Sequence, residues 1–75
     1  MQRYLNLNGD SGVSAFEIGP QHLKVAFHDH AEYLYTYNSA GVLHIENMKN
    51  LALRGYGLNT YINTHVRKLY ESKIK

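Results

Sequence analysis

The feature that most constrains the fold is an alternation of large and small or polar residues in two stretches on either side of a short turn. The stretches are residues 22–28 and 32–37, and their repeating large residues are Leu23, Val25, Phe27, Tyr33, Tyr35 and Tyr37. A period of two is typical of half-buried antiparallel strands, so we predict a β-hairpin. Asp29-His30 supplies the reversal, and His30 must accept a left-handed backbone conformation that glycine would adopt without cost.

A further strand is predicted over residues 13–18. It ends there because the Gly19-Pro20 pair that follows cannot continue a central ladder. The predicted strands therefore fall within residues 13–37. Residues 1–12 are predicted to form a tail or a short edge segment that contains a loop at Gly9-Asp10-Ser11-Gly12.

After Tyr37 the period changes to that of a helix. Ser39 is a suitable N-cap for a helix over residues 39–54, whose apolar positions share one face, and Gly55 follows this helix. The apolar positions are Val42, Ile45, Met48, Leu51 and Ala52. We predict a second helix over residues 58–72. Its apolar stripe consists of Ile62, Val66 and Leu69.

Strands followed by helices, with no alternation between the two, indicate the α+β class. We predict a small three-stranded antiparallel sheet with two C-terminal helices packed on one face. Because 75 residues are too few to bury two cores, residues 1–75 are predicted to form a single domain.

The absence of cysteine excludes a disulfide framework and a thiolate zinc site. No apolar run approaches the roughly 20 residues of a membrane helix, and no leader pattern opens the chain. We therefore expect a cytoplasmic protein without a membrane partner.

The charged residues are divided unevenly along the chain. Residues 1–48 hold two of the eight Lys and Arg residues and five of the six Asp and Glu residues, whereas residues 49–75 hold six and one. A local positive field raises encounter rates with anions, so the basic C-terminal part is the predicted contact surface. A solvated basic helix without a ligand is the alternative for the same pattern.

Two short motifs resemble reactive or metal sites but lack the partners that such sites need. Gly9-Asp10-Ser11-Gly12 resembles the nucleophile loop of serine proteases, which requires a base and an orienting carboxylate on a larger scaffold. His28-Asp29-His30 flanks a turn and offers fewer ligands than zinc sites use. His44 and His65 lie on different predicted helices and are expected to be structural. We predict no catalytic residue, no metal and no cofactor, and therefore no enzyme.

The row of Tyr33, Tyr35 and Tyr37 leaves two interpretations open. Such a row can fill the core beneath two helices, or it can stack on bases as the aromatic platforms for single-stranded nucleic acid do. The core interpretation is favoured, because the predicted helices must bury their stripes on one sheet face.

The second predicted helix carries the string Tyr61-Ile62-Asn63-x-x-Val66-Arg67-x-x-Tyr70 after the alternating strands and a helix. This succession resembles the KTSC domain, a small module found at the C-terminus of some lysyl-tRNA synthetases and as a stand-alone bacterial or phage protein. The resemblance covers most of the chain, from Val13 to Tyr70. It departs from the family at His30, where glycine is usual, and at Ala40-Gly41, where Val-Pro is usual.

The resemblance implies a small sheet with two helices, and nucleic-acid binding only through the family's association with an enzyme that charges tRNA. The family has no established activity. Asn63 and Arg67 lie four residues apart and are therefore neighbours on the helix surface. The candidate nucleic-acid-binding residues are Arg54, Asn63, Arg67, Lys68, Tyr70 and Lys73.

The expected ligand is nucleic acid, RNA or DNA, whose phosphates these cations would neutralise. Two alternatives stay open. Arg67 can instead pair with a carboxylate of the strands, with Asn63 capping or bridging backbone groups. The chain can also be a protein-interaction module or a homo-oligomer that uses the edge strand Val13–Ile18 or exposed tyrosines.

Overall fold

The chain forms an antiparallel sheet whose five strands lie in sequence order, with three helices between the fourth and the fifth strand. The computed structural model describes all residues from Met1 to Lys75. The strands are β1 (Gln2–Arg3), β2 (Val13–Ile18), β3 (His22–Phe27), β4 (Glu32–Thr36) and β5 (Ser72–Lys73). The helices are α1 (Tyr37–Ala40), α2 (Val42–Arg54) and α3 (Leu58–Tyr61), and α3 continues into a π-helical turn over Ile62–Val66. The α+β class is confirmed, although there are five strands instead of three and three helices instead of two.

The predicted hairpin is formed by β3 and β4, which pair antiparallel along their whole length. His30 has a φ of 71°, as the turn requires. The carboxylate of Asp29 accepts a hydrogen bond from the Ala31 N–H at 3.0 Å. This local bond holds the turn together and offsets part of the cost of a left-handed residue that carries a Cβ.

The N-terminal segment is held by both the sheet and the helices. Strand β1 pairs with β2, and the Tyr4 that follows is only 2% exposed. The Tyr4 hydroxyl accepts a hydrogen bond from the Leu58 N–H at 3.3 Å, and the Leu7 N–H donates to the Gly55 carbonyl at 2.8 Å. The outer edge of β2 is therefore covered by the chain itself.

The helix predicted over residues 39–54 begins earlier and is divided. Thr36 is the N-cap of α1, because its hydroxyl accepts from the Ser39 N–H while the Ser39 hydroxyl accepts from the Thr36 N–H, both at 3.0 Å. This reciprocal pair is a capping box. Gly41 then takes a φ of 91° and separates α1 from α2. The prediction of one continuous helix capped by Ser39 was wrong.

The helix predicted over residues 58–72 ends at Val66. The chain then turns, and Ser72–Lys73 pairs with β4 as strand β5. The Glu71 N–H donates to a β4 carbonyl at 2.7 Å. Without this segment β4 would leave a row of unpaired backbone groups at the sheet edge, which is why pairing replaces the last helical turns. Leu69, predicted in the buried stripe, is 40% exposed.

The core lies between one face of the sheet and the helices α2 and α3. It contains twelve buried residues from both layers: Tyr4, Val13, Phe16, Leu23, Val25, Tyr35, Ile45, Met48, Ala52, Leu58, Ile62 and Val66. Each fully buried large apolar side chain contributes about 1.5–3 kcal/mol. The helices thus pack on one face of the sheet, as predicted. None of them has the length and apolarity that crossing a bilayer requires.

Candidate functional site

A cleft of about 370 Å³ opens between the β3–β4 hairpin and the segment that runs from the π-helical turn to β5. Its aromatic and apolar lining consists of Phe27, Ala31, Tyr33, Tyr35, Ile62 and Tyr70. Its polar and charged lining consists of Asp29, Asn63, Arg67 and Lys68. The cleft therefore combines ring surfaces with two cations, one amide and one carboxylate.

The aromatic wall of the cleft is held by contacts between rings. The centroids of Tyr33 and Tyr70 are 4.9 Å apart, and Tyr70 meets the edge of Tyr35 at 6.4 Å with an interplanar angle of 87°. Phe27 packs edge-to-face on Tyr33 at 5.8 Å. Edge-to-face and tilted pairs add to the stabilisation that burial provides, so these rings form an ordered surface.

Tyr35 lies at the base of this wall and is 2% exposed. Burial raises the pKa of the Tyr35 hydroxyl to about 12, and the neighbouring Tyr33 and Tyr70 add to the shift. The charged form is disfavoured because burial deprives the phenolate of water. The hydroxyl therefore stays protonated at all physiological pH values and can both donate and accept a hydrogen bond.

The basic rim of the cleft has no internal partner. Asn63, Arg67 and Lys68 are exposed, and none of them forms an ion pair or a side-chain hydrogen bond within the chain. The four ion pairs of the chain use His22, Lys24, Lys49 and Lys75 as their positive members. The alternative in which Arg67 pairs with a carboxylate of the strands is therefore not observed. The side chains remain available to a ligand.

The structure brings five of the six candidate residues to one place. Asn63, Arg67, Lys68 and Tyr70 line the cleft, and the Lys73 Nζ lies 5.8 Å from the ring centroid of Tyr33. This last contact has cation–π geometry and places a third positive charge beside the aromatic wall.

Arg54 does not reach the cleft. It lies at the end of α2, where its guanidinium covers the ring of Tyr56 at 4.6 Å and donates a hydrogen bond to the Tyr56 hydroxyl. The positive charge of Arg54 interacts favourably with the negative end of the α2 helix dipole, so Arg54 has a structural role.

The row of Tyr33, Tyr35 and Tyr37 was predicted either to fill the core or to form a stacking platform, and the three residues have different positions. Tyr35 belongs to the core, Tyr33 is half-buried and lines the cleft, and Tyr37 lies in α1 with its hydroxyl bonded to Glu46 at 2.7 Å. Sequence reasoning did not place Phe27 or Asp29 in the site. The signal for the aromatic wall was the alternation in the two strands, but the partner ring of Tyr70 reaches it only because the C-terminal segment returns to the sheet.

No family model, no curated protein and no solved structure matches this chain. The similarity to the KTSC domain therefore stays a prediction. No group of three or more His, Cys, Asp or Glu side chains is placed to hold a metal ion. The chemistry that the cleft offers is stacking on rings, attraction of anions and hydrogen bonding through the Asn63 amide and the tyrosine hydroxyls.

Proposed function

We propose that this chain is a non-catalytic, KTSC-like binding module whose cleft takes single-stranded nucleic acid, RNA in particular. The observation that supports this most strongly is that Arg67 and Lys68 stand without an internal partner beside a wall of tyrosine rings. Aromatic rings and cations that track the backbone are the two elements common to proteins that bind single strands.

The shape of the cleft favours an unpaired base over a duplex. Its volume of about 370 Å³ lies near the lower end for small-molecule pockets, which suits one or two nucleotides. A base that has left its stack can lie on Tyr70 or Tyr33 while its phosphate meets Arg67. The Asn63 amide and the hydroxyls of the cleft tyrosines are available for the base edge or the 2′-hydroxyl of RNA.

The test is a fluorescence-polarisation titration of a labelled RNA of about ten nucleotides, at two salt concentrations. We expect affinity to fall with salt, and Arg67→Ala to weaken binding and to lower the salt slope by about 0.7 per lost contact. Arg54→Ala is the matched control, because it removes the same charge from a position outside the cleft.

Three results contradict the proposal: no binding at low salt, binding that is indifferent to salt, or equal losses for Arg67→Ala and Arg54→Ala. The last result would mean that only net charge matters. Titration with duplex DNA of the same length separates the cleft, which requires unpaired bases, from simple attraction to phosphates.

A protein-interaction role is the second candidate, and exposed leucines on α2 favour it. Leu43 is 73% exposed and Leu53 is 54% exposed. The edge strand Val13–Ile18 is a weaker candidate for a contact, because β1 covers its outer edge. A light-scattering mass well above 8.6 kDa supports self-association, and a mass of one chain at high concentration counts against it.

A further inference from the structure

Asp29 is the one carboxylate in the lining of the cleft. It lies in the turn of the β3–β4 hairpin, whereas Arg67 and Lys68 belong to the segment on the other side of the cleft. Asp29 is exposed and takes part in none of the four ion pairs of the chain. The cleft therefore combines one negative and two positive side chains that do not neutralise each other.

The Asp29 carboxylate has acceptor positions that the chain does not use. Its side chain makes one hydrogen bond, which Oδ1 accepts from the Ala31 N–H at 3.0 Å. An ionised carboxylate has about four acceptor positions and no proton to donate. Both oxygens can therefore accept further hydrogen bonds, and the part of a ligand that lies beside Asp29 has to be a donor.

The charges of the lining restrict the class of ligand. A carboxylate repels phosphate, so Asp29 does not serve the nucleic-acid backbone, which Arg67 and Lys68 attract. A basic peptide would suit Asp29 but would be repelled by Arg67 and Lys68. An anionic chain whose bases carry amino groups suits both sides of the cleft.

The four bases differ in the donors that they offer to a carboxylate. The Watson–Crick edge of guanine has two adjacent donors, the N1–H and the 2-amino group, which match the two oxygens of one carboxylate. In adenine and cytosine a single amino group lies beside a ring nitrogen that is an acceptor, and in uracil a single N–H lies between two carbonyls. This edge is free to be recognised in a single strand, and hydrogen bonds to a charged acceptor are the stronger ones.

We propose that the cleft selects guanine in single-stranded RNA and that Asp29 determines this specificity. This inference rests on the proposed binding of RNA. The guanine ring stacks on Tyr70 or Tyr33, its N1–H and 2-amino group donate to Asp29, and its phosphate meets Arg67.

The test is a fluorescence-polarisation titration of labelled uridine-rich RNAs of about ten nucleotides that differ at one central position. That position holds guanosine, inosine, adenosine, cytidine or uridine. Inosine keeps the N1–H of guanosine but lacks the 2-amino group. We expect the guanosine RNA to bind more tightly than all the others, and about five- to tenfold more tightly than the inosine RNA, because one hydrogen bond to a charged acceptor is lost.

Asp29→Asn separates the specificity from the fold and from the overall charge. The asparagine oxygen can still accept from the Ala31 N–H, so the turn is kept. Loss of the negative charge should raise the affinity for all five RNAs, whereas the preference for guanosine over inosine should disappear. Asp10→Asn is the matched control, because it makes the same change of charge in a loop outside the cleft, and it should leave that preference unchanged.

The outcomes distinguish this inference from the proposed function. Equal binding of all five RNAs by the natural chain, or a guanosine preference that Asp29→Asn leaves intact, would overturn the role of Asp29 while RNA binding stands. Loss of the preference in Asp10→Asn as well would show that net charge causes it, which also overturns that role. Failure of every RNA to bind at low salt would overturn both proposals.

Discussion

Two groups of tyrosines in this fold differ in what their hydroxyl groups contact. Beside α2, Tyr37 donates a hydrogen bond to Glu46 at 2.7 Å, and Tyr61 is bonded to His44 and Asn47. In the cleft, the rings of Tyr33 and Tyr70 pack on each other, and their hydroxyls have no partner within the chain. Polar groups that are already paired serve the fold, whereas those left free at an ordered surface can serve a ligand.

The pKa shifts of these groups also differ in their cause between the two regions. The hydrogen bond from Tyr37, followed by that from Lys49, holds the pKa of Glu46 below its usual value, and the bond to Glu46 raises the pKa of Tyr37. These shifts come from partners within the chain. The pKa of Tyr35 is raised mainly by burial, and the neighbouring Tyr33 and Tyr70 add to the shift.

The largest effect that tests this contrast is on stability. Tyr35→Ala removes a ring that is 2% exposed, so we expect a loss of about 3–5 kcal/mol in the free energy of unfolding. Tyr37→Ala removes a ring at the edge of the core and should cost clearly less. Urea unfolding followed by circular dichroism measures both. Equal losses would show that Tyr35 does not belong to the core.

The next effect is on RNA binding. Tyr70→Ala should weaken binding by about 1–3 kcal/mol, the contribution of one stacked base. Tyr70→Phe keeps the ring and should retain most of the affinity. Tyr37→Ala, which removes a ring that does not line the cleft, should leave the affinity unchanged. Fluorescence polarisation distinguishes these variants, and equal losses in Tyr70→Phe and Tyr70→Ala would exclude stacking as the role of this ring.

The smallest effect is at alkaline pH. The pKa of Tyr35 is about 12 in the folded chain and 10.0 without the fold, so the neutral hydroxyl stabilises the fold fully below about pH 10. This stability is lost as the pH rises from 10 to 12. A shift of this size corresponds to at most about 3 kcal/mol, and water in the cleft reduces the expected loss to about 1–2 kcal/mol.

Urea midpoints measured between pH 9 and pH 12 test the alkaline effect, which should be much smaller in Tyr35→Phe. Tyr37→Phe is the comparison, because Tyr37 also has a raised pKa but lies at an exposed hydrogen bond. If Tyr37→Phe flattens the profile more than Tyr35→Phe does, burial of Tyr35 is not the main cause.

The sheet could be predicted where local pattern and tertiary packing agree. The alternation around Asp29-His30 gave the hairpin, because both strands bury one face and the turn is short. The division at Gly41 was missed, since Thr36 and Ser39 form their capping box one turn earlier than the apolar period suggests. Strand β5 has two residues and no pattern of its own. Its formation depends on the open edge of β4, which is a property of the assembled sheet.

The candidate site, like the fold, could be predicted from the sequence only in part. The spacing of Asn63 and Arg67 places them on one helix surface, and the structure keeps them together at the cleft. The approach of Tyr70 to Tyr33 and the position of Lys73 required the chain to reverse after Val66. Arg54 was included on charge alone, and charge does not determine where a side chain points.

Strand β5 also connects the proposed binding of RNA with resistance to aggregation. It covers the edge of β4 with few hydrogen bonds, and the segment that leads into it carries Tyr70 into the cleft. Short terminal strands open at low free energy, and an uncovered edge recruits strands from other molecules. A ligand that holds Tyr70 against Tyr33 also keeps this edge covered. Aggregation on storage or heating should therefore be slower for the RNA-bound chain than for the free chain.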